Sequence, residues 1–156
     1  MADTLNIKIE KILKAYLDAS DIAGVNFYAG HTDSAICDLP SLTVMSNAVQ
    51  PAADMPAEIN IKAVNVVFEL RVDSVMDSAK VFLDTTLEEI ETTLSNTASI
   101  LAYSLAPASL PETRAITDVH IYDMLPDNES TGFDRTQWKR ELSFNVICQN
   151  YDNLTV

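Results

Sequence analysis

Residues 58–74 carry the pattern that most limits the fold. Val64, Val66, Phe68, Leu70 and Val72 alternate with Asn65, Val67, Glu69, Arg71 and Asp73. Strand side chains point to opposite faces in turn, so large apolar residues on even numbers define a strand with one buried face. Upstream, Ile59, Ile61 and Ala63 alternate on odd numbers. The apolar parity therefore flips near Ala63 and Val64, which calls for a bulge, a sharp bend or two separate strands. The run is also far longer than the usual strand of about five or six residues. A strand that reaches past its own domain, or breaks into a hairpin arm, has this form.

A face of that kind needs a cover, and the sequence supplies helices on both sides of it. Leu5, Ile9, Ile12, Leu13, Tyr16 and Leu17 recur at helical spacing and predict a helix over residues 4–19. Lys8, Lys11 and Lys14 run down another side of it. Gly24 follows, available for the turn into a short strand over residues 25–30. Leu42 and Val44 predict a second short strand, preceded by Pro40, and residues 46–57 read as a loop with two prolines and few charges. After the long strand, Asp77-Ser78 is a natural N-cap pair. Met76, Ala79, Leu83, Leu87, Ile90 and Leu94 then form the apolar stripe of a long helix to about residue 96, extended by a turn or two through Ile100, Leu101 and Leu105. Asp77, Asp84, Glu88 and Glu91 fall together on another side of that helix.

Residues 104–113, with Pro107 and Pro111, read as a connector. Val119 and Ile121 mark a strand over residues 114–123. Residues 124–137, containing the turn-like Pro126-Asp-Asn-Glu-Ser-Thr-Gly132, read as a protruding loop. A final strand over residues 137–150 alternates Leu142, Phe144, Val146 and Cys148 against Ser143, Asn145, Ile147 and Gln149. The order α-β-β-β-α-β-β predicts one α+β domain. Its antiparallel or mixed sheet of four to six strands packs with the N-terminal and the long central helix.

Composition then excludes function classes. With 23 acidic and 10 basic residues the formal net charge is −13, a poor basis for displacing counterions from DNA. Only three glycines are present, too far apart for a phosphate-cradling loop, so no nucleotide motif is expected. No apolar stretch is long enough for a transmembrane helix. The opening residues are charged and amphipathic, unlike a signal peptide, so the cytoplasm of the producing cell is the expected compartment. The sequons Asn128-Glu-Ser130 and Asn153-Leu-Thr155 are then idle. Cys37 and Cys148 have no metal-ligand spacing and are expected as free thiols.

Catalytic chemistry finds no constellation. His31-x-Asp33 is half a site at most, and on a strand His120 shares a face with Asp118 but not with Asp123. No third ligand is spaced to complete a metal centre. A nucleophile elbow is missing, and Cys148 falls on a core face. The row Asp77, Asp84, Glu88, Glu91 lacks the dense oxygen ligands of a calcium loop, as does Asp127-Asn-Glu129. The expectation is a protein that is not an enzyme and holds no cofactor or metal.

What remains is surface for contact. Arg135, Lys139 and Arg140 cluster around Trp138, the only tryptophan, and Arg and Trp are favoured interface anchors. A tryptophan plugging the edge of its own core, with its basic neighbours in water, explains the cluster equally well.

The helix KIEKILKAYLDA, the strand around LPSLTV, the strand INIKAVNVVFELRVDS leading into the helix DSAKVFLDTTLEEIETTL, and the closing strand WKRELSFNVICQ together resemble the tail terminator, or tail-completion, proteins of long-tailed bacteriophages. The resemblance covers most of the chain and lies in order, length and texture. It implies a structural virion protein of the tail and neck, assembled in the host cytoplasm as a homo-oligomeric ring, usually six-fold. Its implied partners are the tail tube protein and a neck, head-completion or connector protein, with DNA passing through the ring without specific binding. Under it, Lys8, Lys11, Lys14, Arg135, Trp138, Lys139 and Arg140 become subunit or tube contacts. Asp77, Asp84, Glu88 and Glu91 become candidates for an acidic channel lining that repels phosphates. The alternatives are another phage neck, head-completion or tail-tube protein, or an acidic DNA-mimic binding protein.

Overall fold

A computed structural model describes residues 4–20, 22, 24–30, 39–51, 61–73, 79–96, 99–100, 119–134 and 137–150. Its elements in chain order are α1 (Leu5–Asp18), β1 (Asn26–Ala29), β2 (Ser41–Pro51), β3 (Ile61–Asp73), α2 (Ala79–Leu94), β4 (Val119–Asp134) and β5 (Gln137–Asn150). The chain is α+β, in the order the periodicities predict. The five strands form one sheet ordered β1-β2-β3-β5-β4. It is mixed, because β1 pairs parallel with β2 while every other pair is antiparallel.

Thr4 opens α1 in extended backbone, and its hydroxyl accepts from the Ile7 amide at 3.4 Å, satisfying one of the free N–H groups of the first turn. Ile9, Leu13 and Leu17 on its apolar stripe are fully buried. The stripe of α2, Leu83, Leu87, Ile90 and Leu94, is buried on the same side of the sheet. The Tyr16 hydroxyl ties the helices by donating to the Thr93 carbonyl at 3.1 Å. Burial raises the pKa of that phenol and keeps it a donor. Gly24 adopts φ +77°, and a Cβ there would sit 3.7 Å from the Phe82 ring. The turn into β1 thus uses a conformation that L-residues other than Gly rarely adopt.

The core lies between this helix layer and one sheet face. Val64, Val66, Phe68, Leu70 and Val72 of β3 are fully buried. Phe144 of β5 meets Phe68 edge to face, with centroids 5.7 Å apart and planes at 85°, an arrangement that aromatic quadrupoles favour. Cys148 is a free, buried thiol, its pKa pushed up to about 12 by burial. Cys37 lies outside the described residues.

The structure corrects three expectations. The parity flip produces no break within β3, whose register with β5 runs unshifted from Ile61 to Asp73. The bulge is on the neighbour. Asn47 and Ala48 of β2 together face Asn65, between the pairs Ser46–Val66 and Val49–Val64. Ile61 and Ala63 lie on the half-buried outer face of one continuous strand. The predicted loop over residues 124–137 is also strand as far as Asp134, paired with β5 as the other arm of a hairpin. Residues rich in turn chemistry are accommodated there by two register shifts, at Ile121/Asp123 and Pro126/Asn128. Of the loop expected over 46–57, residues 46–51 belong to β2. Residues 52–57 and the connector 104–113 lie outside the described residues.

Candidate interaction surfaces

α1 packs chiefly over β1 and β2, and α2 over β3 and β5, which puts the predicted cationic and acidic rows on different halves of the helix layer. Lys8, Lys11 and Lys14 are half-buried along α1, with Ile7 exposed beside them. Asp84, Glu88 and Glu91 are exposed on α2, joined by Glu89 and by Val81, which is 65% exposed. Asp77 and Arg135 lie outside the described residues.

The cluster around Trp138 is divided by strand alternation. Trp138 pairs with Val72 and Arg140 with Leu70, so both stand on the helix-covered face, while Lys139 points to the open face. Trp138 is 38% exposed near the hairpin end. The Arg140 guanidinium bridges Asp84 of α2, at 2.5 Å, and Glu129 of β4. A residue expected to hold a neighbouring subunit thus clamps a helix to its own sheet, and its partner is one of the expected channel-lining residues. Sequence could not pair them, since they lie on elements far apart in the chain.

No described helix covers the other sheet face, and that face is polar in layers. Lys139 pairs with Glu141 at 3.2 Å, and Arg71 pairs with Glu69 at 2.5 Å while donating to Gln137 at 3.1 Å. Register sets Glu69 opposite Glu141 and Arg71 opposite Lys139. Each charge therefore has an opposite along its own strand and a like charge across. Two layers further, beyond the Val67–Ser143 pair, Asn47 donates to Asn65 at 3.1 Å, and Asn65 donates to Asn145 at 3.3 Å and to Asp127 at 3.4 Å. Ser143 also donates to Asp127, at 3.3 Å. This hydrogen-bonded row crosses β2, β3, β5 and β4. The β2 bulge contributes Asn47 to it, and the second β4 shift contributes Asp127. Sequence reasoning missed the row; the only signal was a polar residue interrupting each apolar strand.

Asn65, Val67, Asp127, Ser130, Glu141 and Ser143 line a shallow depression on this face. Among the described residues no group of three or more His, Cys, Asp or Glu side chains could hold a metal. His120, on the same face, has its pKa lowered by partial burial; His31 lies outside the described residues. No described helix is long and apolar enough to cross a membrane.

No known protein family matches the sequence, and no curated protein matches it. Among solved structures, the chain is similar to one from the virion of a native gene transfer agent particle. The TM-score is 0.54 at 11% identity, with the match covering 94% of this chain and 100% of the other. At that identity the likeness is one of fold.

Proposed function

We propose that the chain is a structural virion protein that assembles into a homo-oligomeric ring at the junction of a phage tail tube and the head or neck, around a passage for DNA. The observation that carries this reading is the fold match over the full length of a gene transfer agent virion chain. Two features of the molecule support it. Its net charge of −13 disfavours retention of a duplex, so DNA passes without sticking. Its surfaces also suit side-to-side docking better than strand addition, since the long edge strand β4 carries Pro126 and two register shifts and the other edge, β1, is four residues long. Both devices discourage a foreign strand. The interleaving of Glu69 and Glu141 with Arg71 and Lys139 argues against a DNA mimic, which needs a continuous acidic face.

Native mass spectrometry and negative-stain electron microscopy of the purified chain test the proposal, alone and after addition of isolated tail tubes. A closed ring, free or seated on tube ends, supports it. A chain that stays monomeric at about 100 μM and leaves tube ends bare refutes it.

A further inference from the structure

We infer that successive copies in the ring dock head to tail, the cationic row of α1 on one copy against the acidic row of α2 on the next. The inference rests on the ring reading above and names the partner of each row. Ring closure from a single kind of contact requires two different, mutually complementary patches on each copy. The helix layer carries two such patches on separate halves. Lys8, Lys11 and Lys14 span about 9 Å along α1, and Asp84, Glu88 and Glu91 about 10 Å along α2, at the 1.5 Å rise of a helix. Lys11 and Lys14 have the same three-residue spacing as Glu88 and Glu91, so two helices laid side by side can match charge to charge. An exposed aliphatic residue also lies by each row, Ile7 one turn before Lys11 at 40% exposure and Val81 one turn before Asp84 at 65%.

Lys8, Lys11 and Lys14 each also have an interaction within their own chain, and the contact is drawn from their sign, spacing and placement. A nucleic acid is a poor occupant for three lysines in a chain of net charge −13. A second copy brings the complementary row with it. Docked this way, Glu88 and Glu91 face a neighbouring subunit and are withdrawn from the DNA path.

Charge exchange tests this directly. Variant one carries Lys11→Glu and Lys14→Glu; variant two carries Glu88→Lys and Glu91→Lys. Folding of each is checked by circular dichroism, and the single changes Lys11→Glu and Glu88→Lys serve as a milder pair. Either variant alone should assemble at least about tenfold more weakly than the native chain at low salt. Mixed in equal amounts they should recover the ring, because every contact again joins opposite rows, and the ring must then hold an even number of copies in alternation. Native mass spectrometry reads that composition. A native ring whose assembly neither charge exchange alters overturns the α1–α2 contact and leaves the ring reading intact, as does a folded pair that fails to recover on mixing. A native chain that never forms a ring, alone or on tubes, overturns both.

Discussion

Arg140 offers the sharpest test of how α2 is held to the sheet. Its side chain is 18% exposed, whereas Asp84 and Glu129 are 54% and 44% exposed. The stem is packed and the carboxylates are largely in water, so each pair contributes about 0.2–1 kcal/mol after screening. Arg140→Met keeps most of the packed stem and removes only the charge. It should lower stability by about 1 kcal/mol, which at a urea m-value of about 2 kcal/mol/M moves the midpoint down by about 0.5 M with the slope unchanged. Arg140→Glu also turns two attractions into two repulsions and should cost about 2–3 kcal/mol. The native and Arg140→Met midpoints should converge as salt rises from about 0.05 to 0.5 M, since the screening length shortens severalfold. Urea titration of native, Arg140→Met, Asp84→Ala and the double variant closes a thermodynamic cycle. A coupling below about 0.2 kcal/mol at low salt, or an Arg140→Met midpoint equal to the native one, would refute the clamp.

Three further outcomes follow from the core. Phe144→Ala removes one ring of the Phe68–Phe144 pair and should cost about 3–5 kcal/mol by thermal or urea unfolding. Gly24→Ala forces a side chain into φ +77° and should cost about 1 kcal/mol; Asn, which tolerates that region better, should cost less. The Cys148 thiol, ordinarily at 9.0 and raised to about 12 in the fold, should resist thiol-reactive reagents until the protein unfolds. Its sign is that of an acid whose folded pKa is raised: the unfolded chain ionises first, so its contribution to stability is lost as pH climbs from 9 towards 12. Cys148→Ala should shrink that alkaline loss in pH-dependent unfolding.

Both helices and the two central strands were legible from sequence because one buried face imposes one period. Leu83, Leu87, Ile90 and Leu94 cannot read as anything but a helix, nor Leu142, Phe144, Val146 and Cys148 as anything but a strand. The parity flip marks no break: Ile61 and Ala63 stay in register on the outer face of one continuous strand, and the bulge lies in β2, where no periodicity announces it. Residues 124–134 failed as a prediction because Pro126 and Gly132 advertise a turn locally. Pairing with β5 outweighs those preferences, and no single-strand pattern reveals its partner. The Arg140 clamp and the amide row were hidden for the same reason, since each joins residues separated by long stretches of chain.

The strand order also governs how the protein can be made. β3 sits between β2, which leaves the ribosome before it, and β5, which begins at Gln137, some sixty residues after β3 ends at Asp73. At about 5–20 residues per second, synthesis leaves one flank of that apolar strand without its native neighbour for about 3–12 s. The α2 helix is finished within that interval and can shield the face of β3, but its backbone edge stays open until the hairpin arrives. A slowed ribosome between Leu94 and Gln137 should therefore lower soluble yield more than the same pause placed before Ile61.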